Sequence, residues 1–163
     1  IVYNVPSRTG RSIDPDTTVS LARHENIVGY KAASGDLGLV SEVVERTRGE
    51  AFSVLSGDDG MTLPTLAVGG TGVISVAANV EPERMCRIVD AALADDFERA
   101  RESHHELGPL FRALFRETNP IPVKEAMDVW DFGPARLRDP LSRATPETRA
   151  ELKGVFETLE ADR

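Results

Sequence analysis

The sequence predicts an α/β fold in which helices cover a parallel sheet. Along residues 1–95, a short apolar run is followed by an amphipathic stretch four times in succession. Most residues in these runs are apolar, whereas a strand with one solvated face alternates apolar and polar residues. Strands buried on both faces are typical of parallel sheets, because the connecting helices pack on both sides.

Apolar runs, turn residues and helix caps place the elements of the four units. The predicted strands are Ile1–Asn4, Ile27–Lys31, Ala51–Leu55 and Val73–Val76. The predicted helices run from Asp14 to about Arg23, over Leu37–Arg48, from Asp59 to Val68 and over Pro82–Ala94. Asp14 before Pro15 is a helix cap followed by a proline at the first helical position. Pro64 predicts a kink in the third helix.

Four strand–helix units fit either a doubly wound sheet or a (β/α)8 TIM barrel. No G-x-G-x-x-G turn follows the first strand, which argues against a dinucleotide-binding sheet. A barrel takes ~250 residues, so four units amount to half a barrel. The chain starts inside an apolar run without an initiator methionine, and we therefore expect it to be a fragment of a longer protein.

Residues 96–163 are predicted to form a helical extension that packs beside the half barrel of residues 1–95. The predicted helices are Phe97–Phe115, interrupted at Gly108-Pro109, then Pro122–Trp130 and Pro146–Leu159.

Composition excludes several classes of function. The net charge of −8 and the pI of about 4.9 argue against a nucleic-acid partner, which needs a basic patch. No apolar stretch is long enough to span a membrane, so we expect no membrane partner. The single cysteine, Cys86, allows no internal disulfide and fits the reducing cytoplasm. It lies in a helical pattern that predicts a buried packing role.

Two groups of residues resemble metal ligands and are not predicted to be a metal site. Glu102–Glu106 contains adjacent histidines, which point to different sides of a helix, and it lacks the H-E-x-x-H spacing. Asp58 and Asp59 have no histidine or further carboxylate at ligand spacing, so one of them is interpreted as a helix cap. The sequence therefore predicts no catalytic metal.

Lys31 is the most informative residue. It follows the apolar run Ile27–Tyr30, and it is one of only three lysines, with Lys124 and Lys153, against sixteen arginines. Lysine is usually solvated. A desolvated lysine loses its proton more easily and can attack a carbonyl to form a Schiff base. A strand-end lysine that extends to water is the alternative.

The carboxyl ends of parallel strands are where such folds bind ligands. Tyr3 lies at the end of the first strand and Arg8 follows that strand, while Lys31 ends the second strand and Gly57 follows the third. Tyr3 is either an ordinary strand aromatic or a proton carrier beside a Schiff base. Arg8 is either a solvated loop residue or a ligand for a substrate carboxylate.

Five motifs stand out together: Tyr3–Gly10, Gly29–Asp36, Ser56–Asp59, Gly69–Val76 and Asn119–Lys124. In their order and spacing they resemble the 4-hydroxy-tetrahydrodipicolinate synthase (dihydrodipicolinate synthase) family. The chain looks like the C-terminal part of that enzyme, from strand 5 to strand 8 of the barrel and on to its end. The family is a group of pyruvate-dependent class I aldolases, usually homotetrameric.

The resemblance implies a lyase of lysine (diaminopimelate) biosynthesis that condenses pyruvate with aspartate semialdehyde. It implies that Lys31 forms the Schiff base with pyruvate, so that no separate cofactor is needed, and that Tyr3 relays protons. It implies that Arg8 receives the carboxylate of the semialdehyde, and that Gly57 and Ile74 line the pyruvate pocket.

Two positions depart from the family pattern. The family usually has Glu where this chain has Ala32, and a smaller aliphatic residue where it has Tyr30. We expect both departures to act on the edge of the pocket or on the subgroup. Neither removes the imine chemistry.

Two other functions remain open. One is a sister aldolase acting on 2-keto-3-deoxy sugar acids or N-acetylneuraminate, although such enzymes tend to lack the arginine at the position of Arg8. The other is a fragment that is inactive alone. Half a barrel leaves open strand edges, so we expect the 163 residues alone to dimerise, aggregate or need the missing half.

Overall fold

The computed structural model describes residues 1–161. The chain divides into two compact units. The first combines Ile1–Ser75 with Arg87–Arg101, and the second combines Val76–Cys86 with the chain from Glu102 onwards.

The first unit is built on a four-stranded parallel sheet. Its strands are β1 (Val2–Asn4), β2 (Gly29–Ala32), β3 (Ser53–Ser56) and β4 (Gly72–Val73). They lie in the order β1-β2-β3-β4, and every neighbouring pair is parallel. The predicted α/β fold with a parallel sheet is therefore confirmed.

Eight α-helices follow or connect these strands in the described chain. They are α1 (Pro6–Thr9), α2 (Pro15–Ala22), α3 (Leu37–Arg46), α4 (Thr62–Ala67), α5 (Pro82–Leu93), α6 (Phe97–Leu114), α7 (Ile121–Val129) and α8 (Pro146–Ala161). Two short 3-10 turns, Asp59–Met61 and Ala77–Asn79, complete the elements.

The core of the first unit lies between the sheet and α3. Tyr30 and Ala32 of β2 and Val54 of β3 pack with the valines of α3 in one buried cluster. Since successive strand residues point to opposite faces, Lys31 and Leu55 lie on the other face of the sheet. One face of the sheet therefore packs against α3, and the opposite face carries Lys31.

Side-chain caps start the two helices that flank this core. The carboxylate of Asp14 accepts the backbone N–H of Thr17 at 2.7 Å, as predicted, and that of Asp36 accepts the N–H of Leu39 at 3.0 Å. Each such cap is worth about 1 kcal/mol.

The fourth strand is shorter than predicted. Only Gly72 and Val73 pair with β3, whereas the sequence predicted Val73–Val76. The reason is in β3, which ends at Ser56 and turns away. Residues after Ile74 therefore have no β3 backbone to pair with, and the chain enters the 3-10 turn Ala77–Asn79.

Two helix predictions were wrong in detail. Pro64 does not kink a helix. The predicted helix is instead a 3-10 turn followed by α4, and Pro64 lies in the first turn of α4. The backbone N–H groups of a first turn have no partner within the helix, so a proline is tolerated there. Pro109 does not interrupt α6. The fully buried Leu107 and Leu110 on either side of Pro109 stabilise the helix despite the missing backbone hydrogen bond.

The prediction for Cys86 was also wrong, because its side chain is exposed and not buried.

An ionic cluster in the second unit joins α7 to the chain that follows it. Glu125 is almost fully buried and accepts hydrogen bonds from Arg143 and Arg149. Both arginines also bind Asp128, at 3.0 and 2.6 Å. A buried carboxylate needs such partners, because desolvation without them is costly.

Among residues 1–161, no helix has the length and apolarity needed to cross a membrane. The same residues contain no group of three or more histidine, cysteine, aspartate or glutamate side chains placed to hold a metal ion.

Candidate active site

The carboxyl ends of the four strands meet at one edge of the sheet. Backbone hydrogen bonds that continue the ladders join these ends: Ala33 N–H to Asn4 O at 2.9 Å, Gly57 N–H to Ala32 O at 2.6 Å, and Ile74 N–H to Ser56 O at 2.8 Å. Residues that follow different strands are therefore brought together at this edge, as the parallel sheet predicts.

Tyr3 and Lys31 are direct neighbours across β1 and β2. They are paired in the register of the two strands, so their side chains emerge on the same face. The Nζ of Lys31 lies 4.2 Å from the centre of the Tyr3 ring. A cation over an aromatic face is stabilised by about 0.5–1 kcal/mol at a partly exposed site. In this chain Lys31 is half-buried and Tyr3 is exposed.

Gly57 forms the floor beneath the Lys31 side chain. A β-carbon built on Gly57 would lie 2.9 Å from Cε of Lys31, 2.9 Å from Cβ of Ala33 and 3.0 Å from the carbonyl oxygen of Ala32. Real β-carbons essentially never approach other atoms as closely as the two contacts at 2.9 Å. A glycine therefore allows the backbone just after β3 to pass this close to the lysine.

The turn that follows β3 holds Gly57 in place. The hydroxyl of Ser56 donates to the carbonyl of Asp58 at 2.7 Å and accepts the N–H of Asp58 at 3.2 Å. The carboxylate of Asp58 in turn accepts the N–H of Gly60 at 2.9 Å. The prediction that one of the two aspartates is a helix cap is thus confirmed for Asp58.

Arg8 and Ile74 lie at the same edge of the sheet. Arg8 is in α1, the short helix that follows β1, and its side chain is exposed. Ile74 follows β4 and is 39% exposed. Tyr3 and Gly57 thus lie directly beside the Lys31 side chain. Arg8 and Ile74 are assigned to the same edge because they follow β1 and β4 in the chain.

A buried hydrogen-bond network lies on the opposite face of the same two strands. The side-chain amide of Asn4 donates to the hydroxyl of Tyr30 at 2.7 Å, and both residues are almost completely buried. Burial raises the pKa of the Tyr30 hydroxyl above its ordinary value of 10.0. Asn4 was not predicted to have a role; the register between β1 and β2, which pairs Asn4 with Ala32, places it on the same face as Tyr30.

The two departures from the family pattern also lie on this opposite face. Tyr30 and Ala32 both belong to the buried cluster packed on α3. Their side chains point away from the face that carries Lys31, so the part of our expectation that places them at the edge of the pocket was wrong. An effect on the subgroup stays a prediction.

Sequence comparison relates almost the whole chain to one family. The Dihydrodipicolinate synthetase family matches residues 1–159. A protein of Haloarcula marismortui called 4-hydroxy-tetrahydrodipicolinate synthase is 65% identical over 162 residues, which cover 99% of this chain and 53% of that protein. A protein of the same name from Natronomonas pharaonis is 63% identical, over 98% of this chain and 54% of its own length.

Structural comparison agrees. The crystal structure of dihydrodipicolinate synthase from Aquifex aeolicus superposes with a TM-score of 0.93 at 47% identity, covering 97% of this chain and 54% of that one. The chain thus spans about half the length of the relatives that it matches.

Proposed function

Because the chain belongs to the dihydrodipicolinate synthetase family, we propose that it carries the Schiff-base half of a lyase that condenses pyruvate with aspartate semialdehyde. The product is 4-hydroxy-tetrahydrodipicolinate, in lysine biosynthesis. The observation that supports this most strongly is the placement of the Lys31 amine 4.2 Å from the Tyr3 ring at the carboxyl edge of a parallel sheet.

Lys31 acts as the nucleophile. Its neutral amine adds to the carbonyl carbon of pyruvate, and loss of water leaves an imine. The protonated imine accepts electrons, so the pyruvate methyl group loses a proton and becomes a nucleophilic enamine. The enamine carbon then bonds to the aldehyde carbon of the second substrate, whose oxygen takes up a proton and becomes the hydroxyl group. The amino group of the semialdehyde adds to the regenerated imine carbon and expels the Lys31 amine, which closes the ring and frees the product. This sequence needs an amine, a proton carrier and a site that excludes water.

Tyr3 carries protons for these steps. Its ring faces the amine of Lys31, at 4.2 Å from the ring centre. Proton transfer by a positioned side chain typically contributes 10²–10⁴-fold to the rate.

Arg8, Gly57 and Ile74 bind the substrates. The guanidinium of Arg8, exposed at the edge of the sheet, suits the carboxylate of the semialdehyde. Gly57 keeps the space around Cε of Lys31 open, and the exposed Ile74 supplies an apolar wall. The chemistry runs through the amine of Lys31 itself, and we propose no metal or separate cofactor.

The complete protein is proposed to be a (β/α)8 barrel, in which β1 to β4 are strands 5 to 8. Residues 1–95 then supply the C-terminal half of the barrel and residues 96–163 the helical extension. The family resemblance supports a cytoplasmic homotetramer.

The test is condensation activity of the complete protein with pyruvate and aspartate semialdehyde. Lys31→Arg keeps the positive charge and removes the nucleophile, so we expect a loss of about 10³-fold or more. Lys153→Arg, at an exposed position of α8, is the matched control and should retain activity. Full activity of Lys31→Arg would refute the proposal. Faster turnover of 2-keto-3-deoxygluconate than of aspartate semialdehyde would assign the chain to a sister aldolase.

A further inference from the structure

The hydrogen bond between Asn4 and Tyr30 connects the two strands that carry Tyr3 and Lys31. Asn4 directly follows Tyr3 on β1, and Tyr30 directly precedes Lys31 on β2. Tyr3 is paired with Lys31 in the register, and Asn4 with Ala32, so the bond from Asn4 to Tyr30 runs diagonally across the same two strands. It lies directly behind the contact between Tyr3 and Lys31.

Asn4 is held in a single orientation. Its amide nitrogen donates to Tyr30 at 2.7 Å and to the hydroxyl of Ser12 at 3.2 Å, while its carbonyl oxygen accepts the backbone N–H of Ile13 at 3.1 Å. Rotation of the side chain would break all three bonds at a site that is only 1% exposed. A buried hydrogen-bond network is most stabilising when its donors and acceptors all have partners.

Tyr30 is fixed from both ends. Its ring is fully buried in the cluster packed on α3, and its hydroxyl is bound by Asn4. A leucine or valine at this position would fill part of the same space but would not bind Asn4. The hydroxyl therefore adds a link between β1 and β2 beyond the backbone ladder.

We propose that Tyr30 is a positioning residue for the imine chemistry. Its hydroxyl, bound by Asn4, fixes β2 relative to β1 and so keeps the amine of Lys31 over the ring of Tyr3. This inference rests on the proposed function of Lys31. Small displacements matter here, because misplacing a reacting group by about 1 Å costs on the order of 10²-fold in rate.

The test compares the complete wild-type protein with Tyr30→Phe, which removes a single oxygen and keeps the ring. The measured quantities are the rate at which pyruvate becomes trapped on Lys31 by borohydride, kcat and KM for pyruvate, and the thermal unfolding midpoint. We expect roughly tenfold slower trapping, with kcat falling more than KM rises, at temperatures where the variant is fully folded.

Thr47→Val is the matched control. The Thr47 hydroxyl also makes a buried hydrogen bond of 2.7 Å, to the carbonyl of Val43 at the end of α3. Its loss should lower the unfolding midpoint and leave the trapping rate unchanged. Wild-type trapping in Tyr30→Phe, or equal slowing in both variants, would mean that Tyr30 only stabilises the fold.

A double variant tests whether Asn4 and Tyr30 act through the same bond. Asn4→Ala should also slow trapping, and adding Tyr30→Phe to it should slow trapping no further. Independent, multiplying effects would overturn the inference. If the wild-type protein forms no adduct with pyruvate, the proposed function fails and the inference fails with it. If the wild-type protein and Tyr30→Phe trap pyruvate equally fast, only the inference is rejected.

Discussion

Gly57 and Lys31 occupy adjoining space so closely that the glycine has no room for a side chain. A β-carbon on Gly57 would lie 2.9 Å from Cε of Lys31, and the backbone of Ala32 and the side chain of Ala33 close the other directions. The lysine can yield only by moving its amine. The position of Gly57 is thus tied to the position of the nucleophile.

Gly57→Ala should therefore displace Lys31 and lower kcat/KM by on the order of 10- to 100-fold. The steady-state rate with both substrates is the measurement. Gly49→Ala is the control, since nothing lies within 4 Å of a β-carbon at Gly49. Wild-type kcat/KM in Gly57→Ala would show that the lysine does not depend on this close approach.

Tyr3→Phe separates the ring of Tyr3 from its hydroxyl. The ring remains under the Lys31 amine, so the adduct with pyruvate should still form, whereas proton relay is lost and kcat should fall by about 10²–10⁴-fold. Tyr3→Leu removes the ring as well and should also slow adduct formation. Unchanged kcat in Tyr3→Phe would exclude the hydroxyl from proton transfer.

The parallel sheet was predictable because its strands lie in mostly apolar runs and because caps mark the starts of its helices. The location of Lys31 and Tyr3 near one edge of the sheet was predictable, because each lies near the carboxyl end of a parallel strand. Their 4.2 Å contact was not, because it depends on the register between β1 and β2, which residues far apart in sequence determine.

The hydrogen bond of Tyr30, on which its proposed positioning role rests, was missed for a related reason. Its hydroxyl is satisfied by Asn4, 26 residues earlier, and no local pattern reveals that pairing. The continuous α6 was missed because the packing of Leu107 and Leu110 outweighs the local effect of Pro109, as tertiary contacts commonly override propensity.

Acid should weaken the ionic cluster at Asp128. Hydrogen bonds from Arg149, which have the larger effect, and from Arg143 lower the pKa of Asp128 below its ordinary value of 3.8. Because the pKa of Asp128 is lower in the folded than in the unfolded protein, its ionised carboxylate stabilises the folded protein at pH values above 3.8. This stabilisation is lost as the pH falls through the pKa of the folded state. Unfolding free energy measured between pH 6 and pH 2 should fall below about pH 4. The fall should be shallower in Asp128→Asn, and identical curves would contradict the assignment.

His104 should produce a second pH dependence, closer to neutrality. Burial, and to a lesser extent His105, lowers the pKa of His104 below its ordinary value of 6.5. Its Nδ1 is buried without a hydrogen-bond partner among residues 1–161, and its ring packs on Phe111. The unfolded chain therefore binds the proton more readily, so stability should decline as the pH falls below about 6.5.

His104→Leu should remove most of that decline, because the leucine does not titrate. His105→Gln should leave most of it, because burial is the larger cause. Chemical unfolding at pH 7.5, 6.5 and 5.5 measures the difference. An unchanged decline in His104→Leu would assign the effect to another group.

The most direct test of the account is the site of covalent attachment. The complete protein is incubated with pyruvate, reduced with borohydride, digested and analysed by peptide mass spectrometry. Lys124 and Lys153, the other two lysines of this chain, serve as internal controls. We predict a reduced pyruvate adduct on the peptide that contains Lys31 and none on the peptides of Lys124 and Lys153. Bound pyruvate with an unmodified Lys31 would contradict the Schiff-base mechanism.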